Sequence, residues 1–463
     1  MAGPAGFDMP VGEFRRHGKA LIDWIADYLE DPRQYPVLAG GQPGDLRQRL
    51  PTGAPAEGEP MEKILRDFDQ AILPMVTHWN HPRFFAYFSI SSSAPGILAE
   101  LLTAALNVNA MLWKSCPAAT ELEQTTVAWM LDWLGLPPAW FGMIVDSASS
   151  AALQAVVAAR HRAEPESRAA GPSGRLVAYV SEHTHSSVEK AAMTAGIGRS
   201  NIRHVAVDAA FSMRTDALAE AIRVDLSRNL KPFFAAATVG TTSSTAIDPV
   251  PGIAAICREN GLWLHVDGAY GGALGMLPEC RHFLDGVDRA DSFCVNPPKL
   301  MTVPLDCGLF YTRSPEVVRA AFSLEAEYLK TDVRGAVDYT DYGLVLGRRF
   351  RALKLWFVMR YFGRDGLVAI LRRSLKMAAW LGEQISNSAR FELAAPVNMG
   401  LVCFRSRQGD DATRELMNRI NRSGAFFVSH TVLNGSFIVR VAIGNIRTQW
   451  EDVEELWGAI SKL

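Results

Sequence analysis

The chain has 463 residues, of which 48% are hydrophobic and 21% are charged, and its formal net charge is −2. This composition predicts a globular protein with a large apolar core, and the balanced charge gives no reason to expect nucleic acid as a partner. No apolar run reaches the roughly 20 residues that a membrane span requires, so no membrane partner is expected.

The N-terminal region predicts two helices joined by a long connector. Apolar residues recur at helical spacing over 11–29 and again over 64–72. The stretch between them, 39–60, contains four prolines and is typical of a loop. Two such helices bury too little surface by themselves. We therefore expect residues 1–92 to form a helical segment that packs on another part of the protein or on a second subunit.

From about residue 95 onward, short apolar runs alternate with helical segments. Strands separated by helices predict an α/β domain with a mostly parallel sheet that is covered on both faces. Ligands of such sheets bind at the carboxyl ends of the strands. We therefore expect residues 93–360 to form a large ligand-binding domain. A helix over 121–136 precedes the main predicted strands, which are 176–180, 204–207, 233–238, 262–266, 292–295 and 308–311.

The pattern changes again after a helical segment over 351–361. Mixed strand and helix patterns then predict a small α+β domain over residues 361–463. Its predicted strands are 391–394, 401–404 and 437–442, and its predicted helices are 411–420 and 450–463.

A lysine and an aspartate stand at the ends of two predicted strands. Asp267 follows the run 262–266, and Lys299 follows 292–295 through Asn-Pro-Pro. An enzyme that uses pyridoxal 5′-phosphate (PLP) needs a lysine to form a Schiff base with the cofactor aldehyde. It also needs a carboxylate to pair with the protonated ring nitrogen. A strand-end aspartate often caps a helix, and a lysine in a loop is often solvated, but both residues at one sheet edge favour a PLP site.

Small hydroxyl residues follow another predicted strand. Residues 143–145 lead into Ser147, Ala148 and Ser149, and an alanine-rich helix begins there. Backbone N–H groups at a helix start suit a phosphate, whereas a serine at this position is also the usual N-cap. Taken alone, this segment favours capping over phosphate binding. A polar segment, 238–243, likewise follows the strand over 233–238, and taken alone it favours cofactor contacts and a simple polar turn equally.

Histidines follow the strand over 176–180. An imidazole at this position is suited to stacking on an aromatic cofactor and to handling a substrate proton, whereas a lone loop histidine is usually only hydrogen-bonded. A metal site is not expected, because His183 and His185 offer only two ligands.

Six ordered motifs carry a resemblance that runs through nearly the whole chain. The chain resembles the aromatic-L-amino-acid decarboxylase family, which belongs to the group II PLP-dependent decarboxylases. This resemblance implies the aspartate-aminotransferase fold (fold type I) and a homodimer with active sites at the subunit interface. The N-terminal helices would then pack across that interface. The motifs are HPRFFAYF (81–88), SCPAATELE (115–123), HSSVE (185–189), HVD (265–267), NPPK (296–299) and LGRRFRALKLW (346–356).

The resemblance also implies roles for particular residues. Lys299 matches the Schiff-base lysine, Asp267 the partner of the ring nitrogen and His185 the imidazole stacked on the ring. Tyr328 matches a mobile-loop tyrosine that assists protonation after carbon dioxide leaves. The further residues that match cofactor contacts are Ser147, Ala148, Ser149, Thr242 and Asn296. The residues that match the substrate pocket are Trp79, Tyr87 and Phe88.

Three positions depart from the family pattern. Pro298 stands directly before Lys299, where the family usually has histidine, and proline removes a backbone donor near the phosphate. Ile90 and Met111 stand in the substrate pocket where animal members have threonine and phenylalanine. The first change leaves cofactor retention open, and the other two leave the choice of aromatic substrate open.

The expected reaction is decarboxylation of an aromatic L-amino acid to the arylalkylamine and carbon dioxide. One alternative is an aldehyde synthase, which also consumes oxygen and releases ammonia and peroxide. Such members tend to replace the loop tyrosine or the stacked histidine, so Tyr328 and His185 favour simple decarboxylation. Another alternative is an acidic amino acid as substrate, for which Arg83 is a possible basic group. A third is a non-catalytic metabolite-binding protein, which would leave Lys299 and Asp267 unexplained.

Cysteine usage predicts a reducing compartment. The chain has six cysteines, scattered without a CxxC motif. This spacing favours buried reduced thiols over a disulfide framework or a zinc site. We therefore expect a cytoplasmic protein.

Overall fold

The computed structural model describes residues 8–324, 333 and 335–462 of the chain. Its strands form two sheets that belong to a large and a small domain. The strands are β1 (Phe84–Phe85), β2 (Phe141–Val145), β3 (Leu176–Ser181), β4 (Ile202–Val205), β5 (Lys231–Thr238), β6 (Trp263–Asp267), β7 (Ser292–Val295), β8 (Gly308–Thr312), β9 (Phe391–Leu393), β10 (Leu401–Ser406), β11 (Phe427–Leu433) and β12 (Ser436–Ala442).

The helices surround these sheets, and none of the described helices is long and apolar enough to cross a membrane. They are α1 (Val11–Glu30), α2 (Asp45–Arg49), α3 (Met61–Asp67), α4 (Ala94–Leu106), α5 (Pro117–Leu134), α6 (Ala148–Ala163), α7 (Ser167–Ala170), α8 (Ser186–Thr194), α9 (Thr215–Ser227), α10 (Val250–Asn260), α11 (Pro297–Leu300), α12 (Pro315–Phe322), α13 (Arg351–Ser386), α14 (Asp410–Arg422) and α15 (Trp450–Lys462).

The large sheet has seven strands in the order β2-β8-β7-β6-β5-β3-β4. Strand β8 is antiparallel to both of its neighbours, and the remaining pairs are parallel. This confirms the predicted mostly parallel sheet and the fold type I architecture. The prediction for β4 began two residues late, because the charged and partly exposed Arg203 interrupts the apolar run at this edge strand.

Both faces of the large sheet are covered. Successive residues of β5, such as Ala235 and Ala236, belong to two different apolar cores. Side chains alternate between the two faces of a strand, so a strand that is buried on both sides is apolar throughout. This explains the continuous apolar runs in the sequence. It also places the loops that carry function at the strand ends.

The small sheet has the order β1-β11-β12-β10-β9. Strand β1 comes from the N-terminal segment and pairs in parallel with β11, so this segment is not purely helical as predicted. Strand β11 was also missed. Its Ser429, His430 and Thr431 break the apolar pattern: His430 is exposed, whereas Ser429 is buried on the opposite face.

Helix α13 links the two domains. The range Arg351–Ser386 comprises two helical segments that meet at Gly363, whose φ of 62° and ψ of 177° are not helical, so the helix predicted over 351–361 ends close to the end of the first segment. Glycine adopts a positive φ at little cost, so a helix can bend there. The predicted domain boundary after residue 360 therefore falls close to the break between the two helical segments of α13.

Candidate active site

A cavity of about 250 Å³ lies at the carboxyl ends of the central strands of the large sheet. Strand-end residues of β5, β6 and β7 converge there, as the parallel arrangement requires. The lining residues are Phe88, Ser147, Ala148, Ser149, His185, Ser187, Thr238, Gly240, Thr242, Asp267, Ala269, Tyr270, Asn296 and Lys299. The structure thus brings all the predicted cofactor-contact residues to one place.

Asp267 is the last residue of β6 and is buried. Its Oδ1 atom accepts a hydrogen bond from the backbone N–H of Ala269, at 2.9 Å. The same oxygen accepts one from the thiol of Cys294, with 3.6 Å between sulfur and oxygen. A carboxylate held in this way at the floor of a cavity is suited to pairing with a cationic group of a ligand.

Lys299 lies in the short helix α11, directly after β7. Its Nζ atom is 5.7 Å from the centre of the Phe88 ring. Burial lowers the pKa of the Lys299 amine below its ordinary value, and the nearby Asp267 carboxylate partly opposes this shift. A lowered pKa increases the share of neutral amine, which is the nucleophilic form.

His185 stands at the N-terminus of α8. Its Nδ1 atom accepts the backbone N–H of Ser187 at 3.2 Å, and the Ser187 hydroxyl lies 2.7 Å from the same nitrogen. Burial lowers the pKa of His185, so the imidazole is mostly neutral at pH 7. Since Nδ1 accepts, the proton of the neutral ring lies on Nε2.

The segment Ser147–Ser149 opens α6. The Ser147 hydroxyl accepts the Ser150 N–H at 3.4 Å, so the capping interpretation is correct. The same residues also line the cavity, so capping does not exclude the phosphate interpretation. The N-terminus of this 16-residue helix carries positive partial charge, which suits a phosphate group.

Two polar atoms at the cavity test whether a cofactor fits. Thr238 Oγ1 and Asn296 Oδ1 are buried and have no hydrogen-bond partner within the described residues, and both residues line the cavity. Buried polar groups without partners are rare, so these atoms indicate a ligand. Together with an amine, a carboxylate, an imidazole and a helix N-terminus, they match the functional groups of PLP.

Most of the predicted substrate-pocket residues lie outside this cavity. Only Phe88 lines it. Trp79 stacks on Tyr87 with ring centres 5.7 Å apart, and Tyr87 is 52% exposed. Ile90 is absent from the cavity lining. Met111 lies in a loop where its carbonyl oxygen accepts the N–H of Thr340.

The predictions for Tyr328 and Arg83 have different outcomes. Tyr328 lies outside the described residues, so its role stays a prediction. Arg83, the possible basic group for an acidic substrate, instead pairs with Asp452 at 2.9 Å and with Glu455 at 2.6 Å. Its charge is therefore already neutralised by protein carboxylates.

The sequence reasoning missed Tyr270. Its ring stacks on Phe88 with ring centres 3.7 Å apart and an angle of 15° between the ring planes. It is buried, and burial raises the pKa of its hydroxyl. A signal was present, because Tyr270 follows Asp267 by three residues at the same strand end.

Arg440, in strand β12 of the small domain, was also not predicted from the sequence. The guanidinium carbon of Arg440 lies 5.3 Å from the centre of the Phe88 ring. The side chain donates to the Thr242 carbonyl oxygen at 2.6 Å and to the Ser429 hydroxyl at 3.0 Å. Nothing in the sequence around Arg440 marks it, because Thr242 and Phe88 come from distant parts of the chain.

More contacts from the small domain reach the turn that follows β5. Cys403 donates to the Ser243 carbonyl oxygen at 3.2 Å, and Thr431 donates to the Ser243 hydroxyl at 3.2 Å. Asn398 donates to the Thr245 carbonyl oxygen at 3.4 Å. The small domain thus holds the turn that carries the cavity residue Thr242.

Comparison with known proteins shows the family to which the chain belongs. Residues 43–407 match the family model described as the pyridoxal-dependent decarboxylase conserved domain. The chain is 39% identical to a phenylacetaldehyde synthase from Arabidopsis thaliana, over 98% of this chain and 96% of that protein. It is 39% identical to an aromatic-L-amino-acid decarboxylase from Sus scrofa, over 97% of both. The crystal structure of Oryza sativa TDC with PLP and tryptamine has a TM-score of 0.95 and 35% identity, over 100% of this chain and 99% of that chain.

Proposed function

Because this chain belongs to the pyridoxal-dependent decarboxylase family, we propose that it removes the α-carboxyl group of an aromatic L-amino acid. The products are carbon dioxide and the corresponding arylalkylamine. One observation carries the proposal: Lys299, Asp267 and His185 converge on one cavity that also contains the Phe88–Tyr270 stack.

The aromatic substrate class has two supports. Relatives that match nearly the whole chain include a tryptophan decarboxylase from Oryza sativa subsp. japonica, at 38% identity, and the decarboxylase from Sus scrofa. In addition, Phe88 and Tyr270 give the cavity an aromatic wall. Arg83 is already paired with Asp452 and Glu455, which removes the cation that was considered for an acidic substrate.

Different residues of the cavity would hold different parts of the cofactor. Lys299 would hold its aldehyde carbon, Asp267 its ring nitrogen and His185 a face of its ring. The N-terminus of α6, with Ser147, Ala148 and Ser149, would hold its phosphate, and Thr242 and Asn296 would supply further contacts. When bound, PLP accepts the electron pair of a bond that breaks at the α-carbon of an amino acid.

The protein supplies proton control and orientation. The lowered pKa of Lys299 provides a neutral amine for attachment and for later return to the cofactor. His185 remains neutral because its pKa is lowered, so it has an Nε2–H group available for a hydrogen bond. Fixing the α-carboxyl group in one orientation determines which bond breaks. Tyr328 is proposed to assist protonation of the α-carbon.

An aldehyde synthase is the second candidate, favoured by the similarity to the Arabidopsis thaliana phenylacetaldehyde synthase. The presence of His185 and Tyr328 supports simple decarboxylation instead. The two reactions differ in stoichiometry. Carbon dioxide and hydrogen peroxide should be measured together during turnover of phenylalanine, tyrosine, dihydroxyphenylalanine and tryptophan. Peroxide formed in step with carbon dioxide would establish the aldehyde synthase.

A substrate panel with covalent trapping tests the main proposal. Purified protein should absorb visible light as a lysine–PLP adduct, and borohydride should fix the cofactor on the peptide that contains Lys299. Aromatic amino acids should release carbon dioxide faster than glutamate does. Trapping at another lysine, or faster turnover of glutamate, would contradict the proposal.

We further propose a homodimer with active sites at the interface. Its support is the exposure of apolar side chains on α1, on α4 and over 344–346. These are Val11, Phe14, Ile22, Leu98, Leu101, Leu102, Leu106, Leu344, Val345 and Leu346. Large exposed apolar surfaces mark interaction sites.

Light scattering on an eluting column should give twice the chain mass. The variant Leu102→Glu should shift it toward one chain mass, whereas Leu226→Glu should not. Both leucines are about half exposed on helices, at 47% and 51%, so they form a matched pair. Equal behaviour of the two variants would contradict an interface on α4.

The proposed location is the cytoplasm. All six cysteines are free in the structure, which supports a reducing compartment because disulfides persist mainly in oxidising ones. Fractionation of the source cells tests this, and enrichment outside the cytosolic fraction would contradict it.

A further inference from the structure

Cys294 lies beside Asp267 in the middle of the large sheet. Strands β6 and β7 run parallel, and Asp267 is in register with Cys294. Two residues earlier, His265 is in register with Ser292, and their side chains are 2.9 Å apart. Because side chains alternate along a strand, Cys294 shares this face with Asp267. Its side chain is fully buried.

The contact between the two side chains is a hydrogen bond. Cys294 Sγ lies 3.6 Å from Asp267 Oδ1, and the Ala269 N–H reaches the same oxygen at 2.9 Å. In the part of the chain that the structure describes, both hydrogen bonds to this carboxylate end on Oδ1. The second oxygen, Oδ2, is therefore left for a donor in the cavity.

The direction of this hydrogen bond is fixed by the charges. Burial and the nearby Asp267 carboxylate raise the pKa of the Cys294 thiol well above its usual range. The sulfur therefore keeps its proton, and the carboxylate can only accept. A hydrogen bond to the charged form of a carboxylate stabilises that form.

We propose that Cys294 is a positioning residue for Asp267. The thiol and the Ala269 amide hold Oδ1 and stabilise the negative charge, so that Oδ2 faces the ring nitrogen of the cofactor. This inference rests on the proposed function, because it assigns a supporting residue within the same site. It also places part of the control over the cofactor ring in a strand residue outside the cavity lining.

A purely structural role makes a different prediction. A buried thiol behaves largely as a small apolar group, so packing alone would tolerate alanine with a modest loss of stability. The donor role instead requires an S–H or O–H group. Cys294→Ala removes the donor, Cys294→Ser keeps one, and Cys257→Ala deletes another buried thiol in α10 that is not part of the cavity lining.

The first experiment measures the dissociation constant of PLP for the full-length protein. Cys294→Ala should bind PLP about tenfold more weakly, since a hydrogen bond to a charged group is lost. Cys294→Ser should recover most of this loss, and Cys257→Ala should match the wild type. The pH dependence of the visible absorbance should shift in Cys294→Ala and not in Cys257→Ala. Equal PLP affinities for alanine and serine at position 294 would overturn the proposal.

The second experiment observes the S–H bond itself by infrared difference spectroscopy, with and without added PLP. The S–H stretching band lost in Cys294→Ser should lie at lower wavenumber than the band lost in Cys257→Ser. It should move to higher wavenumber in Asp267→Asn. Identical bands for the two thiols would overturn the proposal even if Cys294→Ala failed to fold.

The two experiments also separate this inference from the function on which it rests. If the S–H band lay at lower wavenumber in a protein that never binds PLP, the proposed function would be refuted. The hydrogen bond between the thiol and the carboxylate would still be supported. Normal PLP binding with an unshifted band would refute the inference alone.

Discussion

The cavity is built by two regions that work in different ways. The strand ends of the large domain supply the reactive groups Asp267 and Lys299, each placed by its own strand. The small domain supplies Arg440 and the segment 398–400, which contact the turn after β5 and the hydroxyl of Tyr270. The strand ends thus supply the reactive side chains, whereas packing between the two domains holds the turn after β5 in position. Substitutions at the strand ends should therefore mainly lower the reaction rate, whereas substitutions in the small domain should mainly lower stability and PLP affinity.

The largest effect is expected at the strand end of β7. Lys299→Ala should reduce decarboxylation by at least about a thousandfold, because no other amine of the cavity lining can hold the cofactor. Carbon dioxide release and borohydride trapping measure this. The melting temperature serves as the folding control. Turnover within tenfold of the wild type would contradict the assignment of Lys299.

A second large effect is expected at the end of β6. Asp267→Asn should lower kcat by about a hundredfold, since it replaces the charged partner of the ring nitrogen by a neutral amide. KM should change less than kcat, because the charge acts on the reacting ring. A change confined to KM would place Asp267 in substrate binding instead.

In the small domain, Gly400→Ala tests packing. An added methyl group would clash with the Ile443 carbonyl oxygen and lie 2.8 Å from the Tyr270 hydroxyl oxygen. We expect a loss of roughly 1–3 kcal/mol in the free energy of unfolding and weaker PLP binding. Thermal and chemical denaturation measure the first, and cofactor titration the second.

Gly458→Ala is the matched control for that substitution. Gly458 lies in α15, and an added methyl group meets nothing within 4 Å. Alanine should therefore stabilise the protein by roughly 0.5–1 kcal/mol. If both glycine variants behaved alike, the domain contact at Gly400 would not be the cause.

Arg440→Met should have a smaller effect, of about three- to tenfold on the PLP dissociation constant. It removes the donor that holds the Thr242 carbonyl oxygen while keeping much of the apolar stem. The pH dependence of cofactor attachment should stay unchanged, because Lys299 and Asp267 are untouched. A shift in that pH dependence would show that Arg440 acts on the reactive side chains. It would contradict the proposed difference between the two regions.

The smallest expected effect is a shift in the pH dependence of PLP attachment. Attachment of PLP needs neutral Lys299, so its rate should rise with pH around a midpoint below the ordinary lysine value of 10.5. Asp267 raises the pKa of Lys299, so Asp267→Asn should move the midpoint lower still. Stopped-flow absorbance measures both midpoints. A higher midpoint in Asp267→Asn would reverse the assumed electrostatic sign.

The two regions also differ in how well the sequence predicts their site residues. Lys299, Asp267 and His185 were predicted to share one cavity because each follows an apolar run, and the carboxyl ends of parallel strands meet at one edge. Arg440 was not found, because its partner Thr242 lies far away in the sequence. Strand β11 was missed because Ser429 and Thr431 form hydrogen bonds to Arg440 and Ser243, which the sequence does not reveal, and because His430 is exposed.

The amino-acid sequence by itself determined the parallel sheet, the strand ends and the reactive groups that stand there, because local periodicity dictates which residues end a buried strand. The tertiary structure alone decided which oxygen of Asp267 accepts the Cys294 thiol, how Phe88 meets Tyr270 and how the small domain holds the turn at Thr242. These contacts join residues from separate elements. Their distances depend on how whole strands and domains pack, which no local pattern encodes.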